Sequence, residues 1–247
     1  MKPEDVTFSN PLFDQMAKYP VQFAQPVFFG ESPHLSPAAS INNATATLLK
    51  LQDRFLGVTC QHVLEGYRRS KATRKTVFQL GPVQLDPERH LISEDRDHDL
   101  AIFDLTPFVG AFEGLATAKF VEPSTWPPES VSTSDVLCLG GFPGIWREQV
   151  GPGHLRFYSY STGAGEVFSV VDDKIVTRVQ LQDCISQIND GKVWGSLGGL
   201  SGSPVFAWRN TPILVAEFVG IVYEYQESLD LMFVRAAKVI LQDGSLI

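Results

Sequence analysis

The chain has 247 residues, 44% hydrophobic and 19% charged, so it is globular rather than disordered and long enough to bury a core without staples. Its 20 basic side chains are outnumbered by 28 acidic ones, a formal net charge of -8, which argues against nucleic acid or an anionic membrane as partner. The first forty residues carry Pro11, Pro20, Pro26, Pro33 and Pro37 and read as an extended N-terminal segment. Two β-prone runs follow between Ala44 and Thr59, with a polar break at Gln52-Asp53. Further strand-like runs are Thr76–Leu80, Leu100–Leu105, Val136–Leu139, Lys174–Leu181, Pro204–Trp208, Ile213–Val219 and Ile221–Tyr225. Gly and Pro separate many of them, a spacing typical of barrels or sandwiches.

Between Ala116 and Pro128, the pairs Glu122-Pro123 and Trp126-Pro127-Pro128 forbid regular structure. The chain therefore divides into an extended segment (1–40), a first barrel (41–115), a linker (116–128) and a second barrel (129–247). The last run, Val234 to Gln242 before Asp243-Gly244, holds helix formers and a Gly stop, which predicts a short C-terminal helix.

Cys60, Cys138 and Cys184 lie far apart, with no C-x-x-C and no cluster at metal spacing, so no metal or cofactor is expected. An odd, sparse set fits three reduced thiols in a cytosol. The start, Met-Lys-Pro-Glu-Asp-Val-Thr-Phe, lacks the apolar core of a signal peptide, and no apolar run reaches membrane-spanning length. A cytoplasmic protein is the expectation.

The most informative stretch is Gly198-Gly199-Leu200-Ser201-Gly202-Ser203-Pro204. A serine hydroxyl is a poor nucleophile until a base takes its proton, and the oxyanion it creates needs preorganised donors. Flanking glycines let the backbone turn tightly, so the amides of Gly199 and Ser201 can point at one oxygen. By itself the stretch is equally well a glycine-rich turn. Upstream, His62 follows the apolar run Phe55–Thr59, and Asp99 stands at the mouth of another, Leu100–Phe103. Taken singly, the histidine reads as a packed or surface residue, and the aspartate as part of a charged cluster with Glu94, Asp95 and Asp97. The order His, Asp, Ser is jointly stronger than any one signal.

Other catalytic orders fail. An α/β-hydrolase needs its histidine after the nucleophile, whereas His34, His62, His90, His98 and His154 all precede Ser201. A subtilisin order would require Asp53 or an earlier acid, in surroundings that do not resemble that motif. Cys60, in a predicted strand two residues before His62, reads as a small core residue rather than a nucleophile.

The motifs Val58-Thr59-Cys60-Gln61-His62-Val63, Asp99-Leu100-Ala101 and Gly199-Leu200-Ser201-Gly202-Ser203-Pro204 resemble those of the chymotrypsin-like (trypsin-fold) serine peptidases. Val136 to Gly144 looks like the opening of the second barrel in intracellular and bacterial members. Val219-Gly220-Ile221-Val222 resembles the strand lining their substrate cleft. The resemblance covers residues 40 to 243 and implies an all-β fold of two antiparallel six-stranded barrels with the active site between them. It implies a serine endopeptidase acting through an acyl-enzyme: Ser201 the nucleophile, His62 the base, Asp99 its orienting acid. The amides of Gly199 and Ser201 would form the oxyanion hole. A polypeptide is the implied substrate; nucleic acid and membrane are not.

Departures from the family pattern are local. Leu200 stands where secreted members carry the acid that pairs with a new N-terminus, so that activation route is not expected. Ser203 replaces the common glycine. Gly195, six positions before Ser201, offers no anchor for a basic side chain, and Tyr223 and Tyr225 fall on the expected cleft wall, or else pack between sheets. The alternative function is a non-catalytic or partner-activated module of the same fold that binds peptides or a regulatory protein.

Overall fold

The computed structural model describes residues 11–31, 41–115, 118–151, 154–179, 184–186, 197–210 and 213–247. Runs with period-two alternation become strands in two antiparallel sheets. The first sheet takes β1 (Ala24–Glu31), β2 (Ile41–Leu51), β3 (Arg54–Thr59), β4 (Thr76–Leu80), β5 (Val83–Leu85), β6 (Leu91–Asp95) and β7 (Leu100–Asp104). Its spatial order is β5-β4-β1-β2-β3-β7-β6. Further along come β8 (Val136–Gly141), β9 (Arg147–Gly151), β10 (His154–Phe157), β11 (Tyr160–Val171), β12 (Lys174–Arg178), β13 (Cys184–Ser186), β14 (Pro204–Asn210), β15 (Leu214–Gln226) and β16 (Leu231–Ala236). The order β12-β16-β15-β14-β8-β11 closes on itself because β11 also pairs with β12, giving a six-stranded barrel. Strands β9 and β10 form a separate hairpin.

The architecture is thus all-β with two barrel-like sheets. The second is closed, and the first is a curled, seven-stranded half-barrel rather than a six-stranded one. Strand β1 lies inside the stretch read as an extended N-terminal segment. It pairs with β2 on one side and β4 on the other, so part of residues 1–40 belongs to the first sheet. Pro26 is tolerated there as one ring in an eight-residue strand. Helix α1 (Pro11–Lys18) precedes it, with Met16 and Ala17 fully buried.

Strands β2, β7 and β8 each feed two cores. In β2, Ala44, Ala46 and Leu48 face the first-barrel core, whereas Leu49 and Leu51 face a third core shared between the sheets. Strand β7 repeats the pattern, with Ala101 and Phe103 on one side and Leu100 and Ile102 on the other. From the second barrel, Leu137 and Leu139 turn inward while Cys138 points to the shared core, where Phe206, Phe218 and Ile221 also sit. Two-sided burial explains why these strands read as nearly continuous apolar runs.

The C-terminal segment differs from expectation. Val234 to Ala236 finish β16, and the only helical part is a single 3-10 turn, Ala237–Val239. Val234 is fully buried in the second core, and Ala237, Val239 and Ile240 fill the shared one. Strand pairing with β12 and β15 outweighs the modest helix propensity of Ala and Lys. Cys60 and Cys138 are buried free thiols; the side chain of Cys184 lies outside the described residues. No described helix is long and apolar enough to cross a membrane.

Candidate active site

Helix α2 (Gln61–Thr73) begins directly after β3, and this turn of chain sets His62. Val63, Leu64 and Tyr67 bury one face of the helix against the first core, a helical spacing visible in the sequence. Arg68 ties the helix to the β6 side by hydrogen bonds to Glu88 and Glu94, both 2.8 Å. Cys60 occupies the N-cap position but supplies no side-chain cap. The cap comes from elsewhere: the His62 backbone N–H donates to Asp99 Oδ1 at 2.9 Å. A carboxylate at a helix N-terminus is favoured by the unsatisfied amides and the dipole.

The second oxygen of the same carboxylate meets the ring. His62 Nδ1 lies 2.7 Å from Asp99 Oδ2. Asp99 closes the four-residue turn between β6 and β7 with φ +53, a left-handed conformation that aspartate tolerates better than most residues. Neighbouring acids have other partners. Asp95 accepts the His98 backbone N–H at 2.7 Å, which holds its carboxyl below the usual aspartate range. Asp104 accepts the Thr106 N–H at 2.9 Å.

The Ser201 loop hangs on β2. Thr45 N–H donates to Ser201 O, Thr45 Oγ1 to Gly199 O and Thr47 Oγ1 to Gly202 O, at 2.9, 2.9 and 2.8 Å. Thr45 and Thr47 are buried polar residues on the face of β2 opposite Ala44 and Ala46. Sequence reasoning missed both, although the Thr-Ala alternation was a signal for them. From the other side, Gly202 N–H donates to Val222 O at 2.7 Å.

Gly202 is the tightest point. Its φ is +95, and a Cβ there would lie 1.9 Å from the Thr45 carbonyl oxygen. Gly202→Ala is expected to cost on the order of 3–5 kcal/mol, combining backbone strain with a clash between two backbones. A urea titration measures it; a loss below about 1 kcal/mol would show that the loop can move away from β2.

His62, Asp99 and Ser201 line one cleft of about 390 Å³ together with Leu197, Gly198, Leu200, Val222, Tyr223, Glu224, Tyr225 and Glu227. Both tyrosines singled out from the sequence are therefore on the cleft wall, and Gly195 lies outside the described residues. The His62 ring is half exposed, with 51% of its side chain open, against 22% for Asp99. Ser201 Oγ donates to the Tyr223 carbonyl at 3.5 Å. Among the described residues, the backbone amides of Gly199 and Ser201 donate to no group of the chain.

Leu200 and Ser203, singled out from the sequence, are both buried. Leu200 packs in the second core. Ser203 is fully buried and its hydroxyl has no partner among the described residues.

Cys60, His62 and Asp99 each place a ligand-type atom within 4.8 Å of the others. Burial, then Asp99, pushes the Cys60 thiol well above its ordinary pKa, against weaker opposing contacts from Gly202 and Ser201. The thiol donates to Val222 O at 3.3 Å, and both Asp99 oxygens are engaged by His62. A protonated sulfur and a committed carboxylate make a poor donor set for a metal and a poor sulfur nucleophile.

The sequence matches no protein-family model and no curated protein. Among solved structures the chain is similar to the serine endoprotease from Yersinia pestis, at 16% identity and TM-score 0.49, over 94% of this chain and 63% of that one. The chain thus spans less than two thirds of the Yersinia protein. It is also similar to the thermostable serine protease AL20 from an extremophilic microorganism, at 14% identity and TM-score 0.45, over 87% of this chain and 91% of that one. A third similar structure is the tobacco vein mottling virus protease, at 8% identity and TM-score 0.44, over 88% of this chain and 78% of that one. The all-β, two-sheet architecture rests on the strand pairing itself.

Proposed function

We propose that this chain is a serine endopeptidase of the chymotrypsin-like, intracellular or bacterial type, cleaving polypeptides through an acyl-enzyme. One observation carries the reading: Asp99 grips both the ring Nδ1 and the backbone N–H of His62, at the edge of the cleft that Ser201 also lines. A carboxylate on Nδ1 keeps the proton there and leaves Nε2 as the base.

In this mechanism Nε2 of His62 takes the proton from Ser201 Oγ as the oxygen attacks the scissile carbonyl carbon. Asp99 stabilises the resulting imidazolium. The amides of Gly199 and Ser201, unspent within the described chain, donate to the oxyanion. His62 then passes the proton to the leaving amine, and water reverses the sequence to release the acyl group. Tyr223 and Tyr225 form the wall along which the peptide lies. A reducing cytosol fits the two buried free thiols.

A fluorophosphonate probe tests the proposal. Covalent label mapped to Ser201 by peptide mass spectrometry is the expected result. Label on another serine, or none under any condition, would overturn it. The partner-activated reading has one observation in its favour: the Ser201 hydroxyl bonds the Tyr223 carbonyl, and not His62. Labelling that is slow for the purified chain and fast in cell extract would select that reading over constitutive activity.

A further inference from the structure

The Asp99 carboxylate receives hydrogen bonds from His62 alone among the described residues. No further side chain aims it, so its direction depends on the four-residue turn that carries it. Asp95 holds the turn within its own barrel through the His98 N–H, and a second hold comes from the opposite barrel. Arg235, in β16, has a side chain only 3% exposed and reaches into the first barrel. Its Nε donates to His98 O at 3.0 Å and its Nη2 to Asp97 O at 2.9 Å, the two carbonyls immediately before Asp99. Its Nη1 binds the Asp173 carboxylate, between β11 and β12. The guanidinium carbon lies over the Tyr223 ring, 5.0 Å from its centroid, on the cleft wall.

We propose that Arg235 is a positioning residue for the His62–Asp99 pair, a latch through which the second barrel sets the aim of the triad carboxylate in the first. The kinetic part rests on the serine-peptidase reading; the geometric part does not. A buried guanidinium is costly unless its donors are spent, and here they are spent on one turn and one anchoring acid. Its planar fork can hold two successive carbonyls and a carboxylate at once, which the single ammonium of lysine cannot match. Held at the carbonyls of Asp97 and His98, the chain enters Asp99 in its left-handed conformation, and both carboxylate oxygens reach His62. A lone arginine inside the apolar run Leu231-Met232-Phe233-Val234-Arg235-Ala236 was the sequence signal for it.

The test compares the full chain with Arg235→Lys, using the ¹⁵N shifts of the His62 ring, which report its tautomer, and peptide-cleavage kinetics. Wild type should hold the proton on Nδ1. Arg235→Lys should remain folded with a cooperative melt, show a mixed tautomer, and lose roughly 30- to 100-fold in kcat with KM within about twofold, the scale of a misplacement near 1 Å. A folded variant with wild-type ring shifts and wild-type kcat would overturn the proposal and leave Arg235 a fold staple. If Arg235→Lys does not fold, Asp173→Asn takes its place, because it loosens the anchor at a turn and keeps the guanidinium. A mixed tautomer and a roughly three- to tenfold loss in kcat support the latch, and unchanged values overturn it. If the wild-type chain cleaves no peptide, the peptidase reading fails separately, and the ring shifts alone decide the latch.

Discussion

Ser201→Ala is expected to remove peptide cleavage almost completely, by roughly 10⁶ in kcat on the scale of nucleophile deletions in other serine proteases, while the fold stays intact. The stability side of that expectation is local. Ser201 Oγ makes one weak hydrogen bond, to the Tyr223 carbonyl at 3.5 Å, whereas the loop is held by backbone groups that alanine keeps. Those groups are the Ser201 carbonyl on Thr45 and the Gly202 amide on Val222. The melting curve of the variant should therefore overlay that of the wild type. The chemical side is the loss of the only cleft-lining hydroxyl among the described residues of this loop, since Ser203 is fully buried. Cleavage of an unstructured polypeptide, with fluorophosphonate labelling in parallel, measures it. Activity or label persisting in Ser201→Ala would end the serine-peptidase reading.

Asp99→Asn should cost on the order of 10⁴ in kcat at neutral pH, by analogy with the amide replacement in the template triad. The amide keeps the shape of the side chain, but its NH₂ group donates where the carboxylate only accepts. Facing His62 Nδ1 at the present 2.7 Å, it favours the tautomer with Nδ1 unprotonated and moves the proton to Nε2, where the base is needed. Asp95→Asn and Asp97→Asn should keep most activity. Asp95 bonds the His98 backbone, and Asp97 contributes its carbonyl, not its carboxylate, to Arg235. Asp95 also has a pH signature of its own. Asp95 sits below its ordinary pKa, first through the His98 N–H. Its stabilising share is therefore present above the unfolded value, about 3.9, and is lost as pH falls through the depressed folded value. Asp95→Asn should blunt acid unfolding of the 96–99 turn with little change in kcat at neutral pH. A dead Asp97→Asn beside an active Asp99→Asn would reverse the assignment of the orienting acid.

Most strands were legible because they are short apolar runs between glycines, prolines and polar breaks. The turn at Gln52-Asp53 divides β2 from β3 as the break in pattern required. Helix α2 follows an apolar strand directly, and the spacing of Val63, Leu64 and Tyr67 is helical. One element departs from its local pattern, because contacts that the sequence does not display outweigh local propensity. Val234 to Val239 has helix formers, yet pairing in a closed barrel and burial in two cores make it strand and a single 3-10 turn.

The candidate site divides along the same line. Residue identity and order along the chain were enough to single out His62, Asp99 and Ser201, because few residue types can act as base, orienting acid and nucleophile. For Tyr223 and Tyr225 the sequence left open a cleft wall or packing between sheets, and each does both, lining the cleft and packing against a core. What the order of residues could not contain is how the groups are held. Thr45 and Thr47 gripping the Ser201 loop, Asp99 capping the helix that carries His62, and Arg235 crossing from the other barrel to the Asp99 turn are all contacts between segments remote in sequence. The Asp99 cap forms within the first sheet, and the other two exist only once the two sheets close against a shared core. Side-chain chemistry is a property of each residue, so the sequence by itself determined which groups could react; distance and direction are properties of the packed chain, so only the tertiary structure decided which of them meet.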